Sequence, residues 1–235
     1  MLSKFILNVK RRETFFYGIL YKFGKFIITF NLPVVKIIHL PLYHLNYLTK
    51  VVTKRIIHIF WSTPLFRARC SNVGKGLKLP NGIPLVVGGH LKIYLGDNVT
   101  IARSTIGASK IFDEPVLKIG NNSTIGYGTV LSVAREVNIG NNCMIAPNCI
   151  IMDSDDHPVN PKKRLLGEGL KPEEVLPVKI GDNVWIGSYC SILKGVTIGE
   201  NSIISANSVI VKDVLPNCVY AGNPARPTLR DIDKK

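Results

Sequence analysis

The sequence predicts an all-β chain wound as a stacked β-helix, preceded by a basic, apolar helical region. An aliphatic residue recurs every six positions, and asparagine often follows it three positions later. The first seventy residues also carry twelve Lys and Arg against one acid, Glu13.

The aliphatic series runs Leu95, Ile101, then Ile119, Ile125, Leu131, then Ile139, Ile145, Ile151. It resumes at Ile180, Ile186, Ile192 and ends at Ile198, Ile204, Ile210. Six is neither the helical period nor the strand alternation, and a fixed short period is the mark of stacked coils. Four positions after each aliphatic residue a second inward slot is expected, usually small: Val99, Thr105, Ser123, Thr129, Cys143, Cys149, Val184, Cys190, Val196, Ser202 and Ser208. Asn98, Asn122, Asn142, Asn148, Asn183, Asn201 and Asn207 suit the corners, because Asn and Gly tolerate positive φ. Three hexapeptides close one triangular coil, as the eighteen residues from Ile180 to Ile198 require. The twenty from Ile119 to Ile139 imply a two-residue bulge. Coils stacked about 4.8 Å apart bury the aliphatic ladder, and 235 residues leave room for five or so of them plus an accessory region.

Three segments are expected: a basic apolar helical region at 1–70, a β-helix at 71–218 and a tail at 219–235. In the first, the longest uncharged run is Ile37–Thr49, thirteen residues, short of the ~18 a membrane-spanning helix needs. Leu42, Leu45, Leu48, Val52, Ile56 and Ile59 step by three and four, a helical stripe with Lys50, Lys54 and Arg55 among them. One-signed charge on apolar helices suggests attachment to an anionic membrane surface, with a helical cap on the β-helix as the alternative. Basic charge would also suit nucleic acid, but the apolar content argues against that partner. Met1–Arg12 holds too short an apolar stretch for a signal peptide. The five cysteines show no CxxC pair, and three occupy the small inward slot, so a reducing, cytoplasmic setting and inert thiols are expected.

The repeat breaks after Ile151 and resumes at Ile180, leaving an excursion over 153–178 that begins Asp153-Ser154-Asp155-Asp156-His157-Pro158. Long excursions from a repeat usually lie on the binding face. Here the chain resembles the hexapeptide-repeat acetyltransferases, in the branch of xenobiotic, maltose and polysaccharide O-acetyltransferases. The likeness covers about residues 73–230. It rests on Ile150-Ile151-Met152-Asp153 before the histidine, Asn183-Val184-Trp185-Ile186-Gly187, Lys212-Asp213-Val214, and Ala221-Gly222-Asn223-Pro224-Ala225-Arg226.

The resemblance implies a left-handed parallel β-helix, a homotrimer, acetyl-CoA as donor and no metal. It implies His157 as general base, a role suited to a side chain whose pKa lies near working pH. It places Trp185 near the reacting centre, Ser188 and Ala206 along the pantetheine arm, and Lys212 and Arg226 against the nucleotide phosphates. Asp153 and Asp155 are expected either to contact the substrate or, with Asp156, to orient the histidine ring or favour its protonated form. Relatives of the maltose type carry an Ala-Asn pair where this chain has Ile125-Gly126. Acceptor binding must therefore differ, with Tyr127 or the 153–170 loop supplying contacts. The expected reaction is acetylation of a sugar hydroxyl on a lipid-linked or surface-polysaccharide precursor, at the inner face of the cytoplasmic membrane. The alternatives are N-acetylation of a nucleotide-linked amino sugar and a non-catalytic β-helix scaffold. A zinc enzyme of the same fold needs three histidine ligands, and the β-helix offers only His90 and His157.

Overall fold

The computed structural model describes residues 2–232. The chain divides into two compact units between Val52 and Thr53.

The first unit contains α1 (Leu2–Arg11), α2 (Phe15–Thr29) and most of α3 (Lys36–Ile57). Thr14 caps α2, its hydroxyl accepting from the Tyr17 N–H. The expected stripe from Leu42 does form a helix, with Pro41 inside α3. None of the three helices buries a single residue. Among the described residues, no helix is long and apolar enough to cross a membrane.

The second unit is a parallel β-helix of six coils with three faces. The first face pairs residues 72–73, 92–95, 116–119, 136–139, 178–180 and 197–198. The second pairs 100–101, 124–125, 144–145, 185–186 and 203–204. The third pairs 85–87, 105–108, 130–133, 150–152, 191–192 and 209–210. All fourteen residues of the aliphatic ladder point inward, and none is more than 4% exposed. Burying each contributes about 1.5–3 kcal/mol, so the ladder is a large favourable term of this unit.

The asparagine corners adopt the expected conformation, with φ between 55° and 61° at Asn98, Asn122, Asn142, Asn148, Asn183, Asn201 and Asn207. Their side chains also link coils: Asn98 donates to Asn122 and Asn122 to Asn142, each at 3.1 Å.

Three details differ from the sequence expectation. Thr105 is not an inward residue: it pairs with Val130 on the third face, and Ser104 is the buried one. The corner after Ile101 is one residue shorter than its neighbours, so the slot moves back by one. The 219–235 tail does not begin outside the β-helix. Cys218–Gly222 extends the second face in parallel, and Ala225–Arg230 folds back on it antiparallel. Finally, the second unit begins at Thr53, so α4 (Thr63–Arg69) and the helical turns from Thr53 to Ser62 belong with the β-helix. Phe66 is 1% exposed within the core, and the Arg69 guanidinium donates to the carbonyls of Gly88 and Leu91.

Candidate active site

From the second coil onward, every departure from the six-residue period longer than a turn falls at one corner, between the third and first faces. The insertions there are 109–115, the two-residue bulge at Ala134-Arg135, and the excursion 153–177. The strand after each returns to register, so the ladder tolerates the extra chain.

Asp153 starts the excursion and is fully buried. The Ala134 N–H donates to its Oδ1 at 2.6 Å, and those of Arg135 and Glu136 donate to its Oδ2 at 2.7 Å. The bulge turns these three N–H groups away from the strand ladder, and the carboxylate satisfies them. Burial pushes the Asp153 carboxyl above its usual range, and the three donors oppose that shift. No atom of its side chain is available to a substrate, which corrects the expected substrate contact. The Asp153 carbonyl also accepts from the Leu176 N–H at 3.0 Å, so one residue ties both ends of the excursion.

Asp155 is held from the coil below. The Lys194 ammonium donates to Asp155 Oδ2 at 2.6 Å and to the Glu174 carbonyl at 3.1 Å. The Asp155 carbonyl in turn accepts from the His157 N–H at 2.7 Å. Asp156, at φ 60°, accepts from the hydroxyls of Ser132 and Ser154. Each of the three acids is therefore committed elsewhere, and none orients the His157 ring. His157 itself is exposed, and among the described residues no hydrogen bond reaches its ring. The excursion presents an imidazole held by its backbone and open at its side chain.

The other expected site residues, Lys212 apart, fall on a different side. Trp185 stands half-exposed on the second face, between Met144 and Ile203. Ser188 and Ala206 lie two positions past Ile186 and Ile204, at the corner between the second and third faces, in the same column as Tyr127. Arg226 is on the returning strand, paired with Ala221, where the second face is extended. Lys212 lies instead at the third–first corner, one coil beyond Lys194. On a triangular coil that corner is opposite the second face. The His157 excursion thus leaves the edge opposite the face that carries Trp185.

Two features escaped the sequence reading. One is Tyr189, exposed at φ 61° in the corner slot that Gly128, Asn148 and Asn207 fill in neighbouring coils. A bulky residue in the left-handed region is strained, and such strain clusters at functional sites. The signal was present, since the third position after Ile186 breaks the Asn pattern. The other is a groove of about 510 Å3 at the third–first corner, lined by His90, Lys110, Phe112 and Asp113. The Arg135 guanidinium lies 5.7 Å from the Phe112 ring centroid. Spacing could have found this groove, because Leu95 to Ile119 is twenty-four residues where a regular coil takes eighteen.

All five cysteines are free, and Cys143, Cys149 and Cys190 are fully buried in the inward slot. The thiols of Cys149 and Cys190 donate to the carbonyls of Gly187 and Ser205. Among the described residues no group of three His, Cys, Asp or Glu is placed to hold a metal ion.

The family model for the bacterial transferase hexapeptide (six repeats) matches residues 177–212. The chain is 37% identical over 139 residues to the galactoside O-acetyltransferase of Escherichia coli (strain K12), covering 56% of this chain and 66% of that protein. It is 44% identical over 117 residues to a candidate acetyltransferase of Saccharomyces cerevisiae, covering 50% of this chain and 57% of the relative. Over 155 residues it is 38% identical to a candidate acetyltransferase of Staphylococcus aureus (strain COL), covering 58% of this chain and 75% of the relative. The chain thus spans between about half and two thirds of the E. coli and yeast relatives and three quarters of the staphylococcal one. Among solved structures, AntD, an N-acyltransferase from Bacillus cereus, shares the fold, with a TM-score of 0.58 at 19% identity over 73% of this chain and 88% of that one. The six-residue ladder, the matched repeat model and a relative aligned over most of its length agree, and this chain belongs to the hexapeptide-repeat acetyltransferase family.

Proposed function

We propose that this chain is an acetyl-CoA-dependent O-acetyltransferase acting on a sugar hydroxyl, with His157 as general base. The observation that carries this reading is the braced excursion. Asp153 and the Asp155–Lys194 pair fix its backbone, while the His157 ring is left open to take a proton. The relation to a galactoside O-acetyltransferase supports a sugar hydroxyl as acceptor.

The chemistry follows from that placement. An alcohol attacks a thioester too slowly at neutral pH unless its proton leaves during attack. His157 removes that proton, the acceptor oxygen bonds to the acetyl carbon, and the C–S bond breaks as coenzyme A leaves. The imidazolium then returns the proton to the departing thiolate. General-base assistance of this kind is worth about 10²–10⁴-fold. No cysteine is needed, since the core thiols are sealed from solvent.

Trp185, Ser188 and Ala206 would line the donor along the second face and its corner, with Arg226 of the same chain and Lys212 of a neighbouring copy meeting its phosphates. The acceptor would lie along the third–first corner near His157, Asp155 and the groove of His90 and Phe112. Tyr127 stands in the Ser188 column and would contact whichever substrate reaches that corner. The His157 edge and the Trp185 face are on opposite sides of one chain, which supports a site completed by a neighbouring copy. Cyclic packing of three copies would do so and cover the exposed column of Met144 and Trp185.

The first unit we assign to attachment at an anionic membrane surface, which would bring the enzyme to a lipid-linked acceptor at the inner face of the cytoplasmic membrane. Its eight Lys and Arg against one acid within residues 1–52, and its unburied apolar side chains, support this. A test of the site is the Trp185→Ala variant, which should raise KM for acetyl-CoA with little change in acceptor KM. An unchanged donor KM would remove Trp185 from the site. A chain beginning at Thr53 should lose binding to anionic liposomes, and equal binding by that chain would overturn the attachment.

A further inference from the structure

We propose that the groove between α1 and α2 is a binding site for a single anionic membrane lipid, with an acyl chain on its floor and the phosphate at its basic rim. The proposal rests on the membrane reading above and makes it specific. The groove holds about 390 Å3 and lies wholly within residues 5–28. That is within the ~300–1,000 Å3 usual for small-ligand sites.

Its lining has two chemistries. Phe5, Ile6, Val9, Leu20 and Ile28 supply apolar surface, and Lys10 and Lys25 supply charge. No acid lines it, and the carboxylate of Glu13 lies 3.5 Å from Arg11. The Arg12 guanidinium lies 4.2 Å from the ring centroid of Tyr21, a lining residue, and so adds a third cation at the wall. Gly24 leaves the floor open, since a Cβ built there would meet nothing within 4 Å.

Charge complementarity selects the occupant. A second copy of this unit would set eight Lys and Arg against eight more, with one acid on each side. A soluble sugar or nucleotide would leave the apolar floor wet. An anionic lipid satisfies both halves, because its chain removes apolar area from water and its phosphate meets the ammonium groups.

The test uses full-length protein and phosphatidylglycerol carrying a photoreactive acyl chain, presented both in detergent micelles and in vesicles. The expected result is crosslinking to α1 and α2, at least tenfold above the same probe with a phosphatidylcholine head. Gly24→Phe fills the floor without a backbone clash and replaces a helix-weakening glycine, so the helix is retained, as circular dichroism would verify. It should cut crosslinking at least tenfold while sedimentation with anionic vesicles persists. The exposed pair Lys10→Gln and Lys25→Gln should abolish the headgroup preference. Equal crosslinking in Gly24→Phe, or equal crosslinking of the two headgroups, overturns the site. Selective crosslinking in micelles without vesicle sedimentation would overturn membrane attachment and leave the lipid site standing.

Discussion

Lys194 Nζ lies 2.6 Å from Asp155 Oδ2, joining the fifth coil to the excursion thirty-nine residues earlier in the chain. The lysine side chain is 26% exposed and the aspartate 43%, so water screens the pair. Its thermodynamic value is therefore small, about 0–1 kcal/mol. Its positional value is larger, because the Asp155 carbonyl holds the His157 N–H. Lys194→Met should lower Tm little and lower kcat about tenfold, in keeping with the sensitivity of catalysis to ångström-scale misplacement. Kinetics and thermal melts on the same preparation check this. A kcat equal to wild type would show that the excursion needs no brace.

Asp153→Asn should be costly to the fold. The amide offers one acceptor oxygen where three N–H groups now find two, and its own NH2 would face donors. Hydrogen bonds to a charged group are worth about 1.5–3 kcal/mol each, and an unsatisfied buried donor costs about 1–3 kcal/mol. A loss of about 3 kcal/mol in urea unfolding is expected. A loss below about 0.5 kcal/mol would mean that the carboxylate does not satisfy the bulge.

Tyr189→Asn should stabilise the protein by about 1 kcal/mol, because asparagine tolerates the left-handed conformation that Tyr189 adopts at φ 61°. The same change removes an exposed ring beside Ser188 at the proposed donor corner, and donor KM should rise. Chemical denaturation and donor titration read the two effects separately. A destabilised variant would contradict the strain.

Burial pushes the Cys70 thiol from its usual 9.0 to about 11, with Arg69 and Arg67 pulling the other way. The unfolded chain then loses this proton first as pH rises, and binds fewer protons than the folded chain between those values. Stability contributed by Cys70 is present below pH 9 and falls as pH rises through 11. Over that window the loss should be about 2 kcal/mol, at 1.36 kcal/mol per unit with some discount for partial exposure. Cys70→Ala should flatten this part of the stability–pH profile. An identical slope in the two proteins would place the effect elsewhere.

The ladder was legible because burial on every coil demands the same residue type at the same step, and from Leu95 to Ile210 all fourteen of its positions are Ile or Leu. The asparagine corners were legible for the same reason, since positive φ restricts the choice. Ser104 was misread because a corner of three residues serves as well as one of four, and only the displaced Ile106 marks the difference. Asp153 was misread because an acid after a strand looks like a solvated loop residue. Its true role depends on N–H groups nineteen residues earlier, freed by the bulge. The α3 stripe was legible as a helix, but periodicity shows which side is apolar and not what covers it. The opposite placement of His157 and Trp185 follows from counting faces, which needs the coil closed in three dimensions.

The measurement that tests the central claim most directly is acceptor-dependent release of coenzyme A from acetyl-CoA by wild type and by His157→Ala, across lipid-linked and soluble sugars. With circular dichroism and Tm unchanged, the variant should lose about 10²–10⁴-fold in turnover. Turnover by His157→Ala equal to that of wild type would contradict the account.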